Sequence, residues 1–110
     1  MKSFEDRKRG FEATFSRDQE KAFRITARRN KIFGLAVAER LGLKAEAAEA
    51  YAKAMVAADL EAPGDADIIL KARGDLAGMG MIVGETELRS ELARAAAVAG
   101  AQFSDGPEAA

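Results

Sequence analysis

Cysteine and histidine are absent from this chain of 110 residues, proline occurs only twice, and aromatic residues make up 6% of it. Without cysteine there is no disulfide framework, no thiolate zinc site and no thiol nucleophile. Without histidine, the commonest general base and metal ligand is gone. Carboxylates are what remains for acid–base chemistry, and no two of them fall in an apolar setting that would separate their pKa values. No catalytic residue and no metal site is therefore assigned. No apolar run approaches the ~20 residues that a membrane span needs, and the charged N-terminus lacks the apolar core of a signal peptide. The expectation is a soluble, cytoplasmic protein. Strand-like runs of valine, isoleucine and threonine are missing too. What is abundant is alanine, leucine, glutamate, lysine and arginine, the composition of a single all-α domain.

Net charge is −1, but it is unevenly spread. Residues 1–31 hold ten of the seventeen Lys and Arg and only five of the eighteen Asp and Glu. A basic third followed by an acidic remainder points to an N-terminal segment that meets an acidic partner, with a solvated helix face as the plainer account.

The stretch Glu20 to Leu41 reads as one long helix with a basic first half and an apolar second half. At about 100° per residue, Lys21, Arg24, Arg28 and Lys31 share one face, while Phe23, Thr26, Asn30, Phe33, Val37 and Leu41 share another. From Ile32 to Ala38 nearly every side is apolar, so this part must be covered all round and lies at the centre of a small bundle. Gly42 ends it.

Before it, Ser3 and Asp6 resemble a capping box that starts a helix at Phe4 and carries it to about Arg17. The next helix is either capped by Asp18 or continuous with this one. Phe4, Phe11 and Phe15 fall within about 40° of one another, a narrow aromatic stripe with Glu5, Asp6, Arg7, Arg9 and Glu12 around it and Lys8 on its edge. Alone, so short a helix is marginal in water, and Gly10 costs it about 1 kcal/mol. Burying three phenylalanines in a preformed groove returns ~1.5–3 kcal/mol each. This is the energetic profile of an arm that orders on binding; the alternative is that the stripe folds back as an extra core helix.

Farther along, Ala45–Leu60 reads as a second bundle helix, with Ala48, Tyr51, Ala52, Met55, Val56 and Asp59 at helical spacing. Pro63 and Gly64 stop it. Asp65 and Asp67 are placed to cap a third, short helix ending by Gly78, with Ile68, Ile69, Ala72 and Leu76 as its stripe. The segment 78–84 matches no phosphate-binding fingerprint and reads as a flexible connector. A last helix runs from Glu85 to about Ala99, with Leu88, Leu92, Ala95, Ala96 and Ala99 on one side, and Gly100 ends it. The division expected is an arm over 1–19, a bundle over 20–99 and a tail over 100–110.

Several short motifs, in order, resemble those of one family: Phe4-Glu5-Asp6-Arg7 with Arg9, Phe11-Glu12 and Phe15; Ala27-Arg28-Arg29-Asn30-Lys31; Gly34-Leu35 and Leu41-Gly42; Tyr51-Ala52-Lys53; and Val56-Ala57-Ala58-Asp59. The family is the zeta inhibitor subunit of the F-type ATP synthase of alphaproteobacteria. The resemblance implies a four-helix bundle with a mobile, partly helical N-terminal arm. The arm enters an interface between alpha and beta subunits near gamma and blocks ATP hydrolysis. On that reading Phe4, Phe11 and Phe15 anchor the arm, Asp6 is a further arm contact, Arg7, Lys8, Arg9 and Glu12 set its register, and, of the basic ridge Arg17, Lys21, Arg24, Arg28 and Lys31, the first three steer its approach. The implied protein is a non-enzymatic monomer when free, peripheral to the inner membrane through the synthase. It needs no cofactor, with weak ATP or ADP binding left open.

Two other readings of the residues stand beside it. The basic ridge suits a small nucleic-acid-binding protein, against which count the acidic pI and the absence of a helix-turn-helix pattern. Arg28, Arg29 and Lys31 suit a nucleotide-sensing bundle, although nothing in their spacing demands it.

Overall fold

The structure, a computed structural model, describes residues 4–104, with side chains from 17 to 103. Four helices follow one another: α1 (Phe4–Arg40), α2 (Ala45–Glu61), α3 (Asp65–Gly78) and α4 (Glu85–Ser104). Among the described residues there is no strand. The fold is the expected all-α four-helix arrangement. The two N-terminal helical stretches are one: α1 runs without a break through Arg17 and Asp18 for 37 residues.

α1 is the axis, and α2 and α4 pack along its C-terminal half while α3 closes the far side. Phe33 and Val37 of α1 are fully buried, and no residue from Ile32 to Ala38 is exposed, as an all-round apolar segment requires. Onto them close Ala52 and Met55 of α2, the complete predicted stripe Ile68, Ile69, Ala72 and Leu76 of α3, and Leu88, Leu92, Ala95 and Ala99 of α4. Each large side chain among them contributes roughly 1.5–3 kcal/mol by leaving water.

One close approach is made by a residue with no side chain. A Cβ on Gly34 would lie 2.8 Å from the Ala52 Cα and 3.1 Å from the Met55 Cβ. Glycine facing alanine thus lets the α1 and α2 backbones approach at the middle of the bundle.

α1 is stopped by Gly42, just beyond its last residue, as its sequence indicates. With φ 78°, Gly42 takes the left-handed conformation, Leu43 N–H donates to Ala38 O at 2.9 Å, and Gly42 N–H donates to Glu39 O at 3.0 Å. The same pair of bonds, from Met81 and Gly80 to Leu76 and Ala77, closes α3. The connector 79–84 is held to the bundle, since Met81 and Val83 pack against the core.

Two ends differ from expectation. Gly64, not an aspartate, precedes α3, and it makes no side-chain capping bond; Asp65 is drawn instead to Arg29, its Oδ1 3.1 Å from Nη2. Asp65 and Asp67 still favour the helix dipole from its first turn. Nor does Gly100 end α4, which continues to Ser104 because its last turn still has α1 beside it. Arg28 Nε donates to Gln102 Oε1 at 2.8 Å, and Phe103 is half-buried.

Polar clamps fix the helix pairs. Arg40 reaches from the last turn of α1 to Glu87 at 3.0 Å and Glu91 at 3.3 Å on α4. The hydrogen bond to Glu87, opposed by burial and helped by the charge of Glu91, holds Arg40 above its ordinary pKa. Between α2 and α3, the Tyr51 hydroxyl donates to Asp75 Oδ2 at 2.7 Å, while Lys71 pairs with the same carboxylate at 3.2 Å and lies 5.4 Å from the tyrosine ring centre. Burial, followed by the hydrogen bond to Asp75 and its charge, pushes the phenol pKa above its ordinary value.

Gly34→Ala is expected to destabilise the bundle by about 1–2 kcal/mol in urea unfolding, overpacking outweighing the gain in helix propensity. Gly74→Ala, where a Cβ meets nothing within 4 Å, is expected to stabilise it by about 0.5–1 kcal/mol. A phenol pKa raised by folding means that Tyr51 confers its full stability below about pH 10 and loses it as pH rises further. Tyr51→Phe should cost about 1 kcal/mol at neutral pH and flatten the alkaline loss. Tyr51 is the single tyrosine and tryptophan is absent, so phenolate absorbance reports it directly, and should appear together with unfolding.

Candidate partner-binding surface

A helix of 37 residues is about 55 Å long, whereas α2 and α4, with 17 and 20 residues, span about 25–30 Å. The bundle therefore covers only part of α1. Burial follows this length mismatch: residues 17–24 are exposed, 25–29 are intermediate, and Asn30 is the first buried position. The candidate arm residues Phe4, Asp6, Arg7, Lys8, Arg9, Phe11, Glu12 and Phe15 lie on the helical backbone, their side chains outside the described residues.

The basic ridge is resolved into three kinds of residue. Arg17 and Lys21 make no ion pair among the described residues. Arg24 is exposed but pairs along its own helix with Glu20 at 2.7 Å. Arg28 and Lys31 are half-buried and turned to neighbours, Arg28 to Gln102 of α4 and Lys31 to Glu49 of α2 at 3.6 Å. Exposed pairs of this sort contribute ~0–1 kcal/mol and leave the cation available to a better partner. Arg28, Arg29 and Lys31 are each engaged with a different element, so they do not converge on one anion. Among the described residues no group of acidic side chains is arranged to hold a metal ion.

At the root of the exposed stretch lies a polar network that sequence periodicity did not single out. Asn30, 1% exposed, sits on the apolar face of α1. Its Oδ1 accepts from Arg29 Nε at 3.1 Å and Nη2 at 2.9 Å, and its Nδ2 donates to Asp59 Oδ2 at 2.8 Å. Asp59 Oδ1 accepts from the Gly64 N–H at 3.4 Å, and Arg29 continues to Asp65. One buried amide thereby ties α1 to the end of α2 and the start of α3. Its signals in the sequence are two polar residues in apolar stripes, Asn30 on α1 and Asp59 on α2.

Phe23, which its spacing places on the same face as Asn30 and Phe33, is 56% exposed. The reason is positional: α2 turns away after Leu60, itself 57% exposed, so the stripe outruns its cover. Between them is a cleft of about 180 Å³ whose wall includes Thr26, Ala27, Val56 and Pro63, with Asn30 and Asp59 at its polar end.

Comparison with known proteins accords with this architecture. The model of the family described as ATPase inhibitor subunit zeta matches residues 1–102, the whole of α1 included. A protein solved by solution NMR is similar in fold, with a TM-score of 0.66 and 44% identity over 76% of this chain and 94% of the other. No curated protein matches.

The buried amide generates a quantitative expectation. Asn30→Ala should cost about 1–3 kcal/mol, because it strands Arg29 and Asp59 as well as removing their bonds. In a double-mutant cycle by chemical denaturation, Asn30→Ala with Asp59→Ala should cost clearly less than the sum of the two alone.

Proposed function

Because the chain belongs to the ATPase inhibitor subunit zeta family, we propose that it blocks ATP hydrolysis by an F-type ATP synthase by inserting its N-terminal arm between alpha and beta subunits close to gamma. Association with the synthase and a regulatory role come with the family; the insertion and its residues are the proposal. The observation that carries it is a family match that begins at residue 1 and so takes in the arm together with the bundle. The length of α1 beyond its partners supports it, since a helix end that the bundle does not cover is available to another protein.

In this mechanism Phe4, Phe11 and Phe15 fill apolar pockets of the catalytic interface, and Asp6, Arg7, Lys8, Arg9 and Glu12 pair with charges along its walls. Buried aromatic anchors supply most of the affinity in such contacts, and rim charges set orientation and encounter rate. Arg17 and Lys21, exposed and unpaired among the described residues, draw the arm toward an acidic mouth. Inhibition here is steric: a helix lodged in a site that must open and close stops the cycle, and no cofactor or covalent step is required. Bound in this way the protein sits at the membrane periphery through its partner, and no helix among the described residues is long and apolar enough to cross a membrane.

The decisive assay is ATP hydrolysis by a cognate F-type catalytic head. The full chain is expected to inhibit, and a version lacking residues 1–19 is expected not to. Phe11→Ala and Phe15→Ala should each weaken inhibition by roughly 2 kcal/mol or more, about thirtyfold, if they are anchors. Equal inhibition by the full and shortened chains would reject the arm mechanism.

A further inference from the structure

The arm is not the whole of the surface that α1 offers. Taking α1 as the single helix it is, positions 4, 11, 15, 23 and 26 fall within an arc of about 120°. The aromatic stripe and Phe23 therefore lie on the same broad side of α1, with Gln19 and Ala22 between them, and that side leads into the cleft beside Leu60. A second apolar hollow adjoins the first, sharing Phe23, Ala27 and Val56 with it and reaching Phe103 of α4. Phe23, Leu60 and Phe103 thus form one apolar shoulder contributed by three helices at the place where α1 leaves the bundle. Isolated exposed hydrophobic residues are ordinary, but a contiguous cluster of large ones framed by charge marks an interaction site.

The charges around the shoulder define the partner. Arg24, Arg28 and Lys31 line the hollow that reaches Phe103, with Arg17 and Lys21 farther along the same ridge. Resting on the inhibitory reading above, we infer that the shoulder docks on the outer rim of the same groove that receives the arm, against an apolar patch bordered by carboxylates. Arm and shoulder belong to one helix face, so a protein that grips the first is brought to the second. The two sites are then linked at high effective concentration, and modest contacts at the shoulder lengthen the residence of the arm. The hydrogen bond from Asn30 to Asp59 at the polar end of the cleft ties α1 to the end of α2 that carries Leu60, so the two walls of the cleft are joined before the partner arrives, which lowers the ordering cost of docking.

The test uses the full-length chain and the catalytic head. In Phe23→Ser/Leu60→Ser both changes are at exposed positions, and circular dichroism checks that the helices persist. This variant should require about tenfold more protein for half-maximal inhibition, with the same plateau at saturation and the change residing in the dissociation rate. A photoreactive phenylalanine at position 23 should cross-link to the head. The same group at position 82, where Ile82 is 97% exposed on the connector that leads into α4, should not. Wild-type inhibition with an unaltered double variant would overturn the shoulder and leave the inhibitory reading intact. So would cross-links from position 23 only to residues 4–16 of the same chain or to a second copy. A wild-type chain that fails to inhibit would overturn both.

Discussion

The separation of α1 and α2 is set where Gly34 meets Ala52, and the other contacts depend on that distance. With hydrogen in place of a side chain, the two backbones come close enough for Met55 to slide past α1 into the centre. Phe33 and Val37, either side of Gly34 on the same helix, are then sealed by α3 and α4. A bundle this small has few large side chains to bury, so the closeness of its helices matters more than the size of its residues. Alanine is plentiful at the facing positions Ala52, Ala72, Ala95 and Ala99 for the same reason.

Packing of this kind is not strongly directional, and the direction comes from polar contacts at the two ends. Arg40 with Glu87 and Glu91 secures the end where α1 finishes, and Asn30 with Arg29, Asp59 and Asp65 secures the end from which α1 emerges. Tyr51 and Lys71 on Asp75 join α2 to α3 between them. A buried amide whose groups are all bonded tolerates few alternative registers, because any shift along α1 would leave its donor and acceptor unpaired. The bundle is therefore fixed at the point where α1 leaves it.

Much of this was legible in the residues. Four helices, the glycine stop at Gly42, the full α3 stripe and the covered segment from Ile32 to Ala38 all follow from apolar spacing and turn chemistry. Periodicity reports the direction in which a residue points and not what stands opposite, and the misreadings share that cause. Phe23 points with the core but has no helix above it. Gly100 looked like a terminator, yet α1 still flanks that turn and Arg28 holds it. Asp65 looked like a cap and was taken by an arginine far away in sequence. Gly34 and Asn30 were visible as parts of motifs, but their roles depend on Ala52 and Asp59, whose proximity only the fold reveals. The candidate arm residues were named from the family resemblance and the aromatic spacing, and their side chains lie outside the described residues.

The unbroken course of α1 from the arm into the bundle has a mechanical meaning. Both prolines of the chain, Pro63 and Pro107, lie outside it, so no ring interrupts its hydrogen-bond ladder. A flexible linker would let an inserted arm swivel independently of the domain behind it. Under the insertion proposed above, a continuous helix would act as a strut, so that a turning or closing motion of the groove would load the bundle as well as the arm. The bulk of three further helices would then resist displacement at the far end of the lever, and on that proposal removing the arm would mean moving the whole molecule or bending the strut.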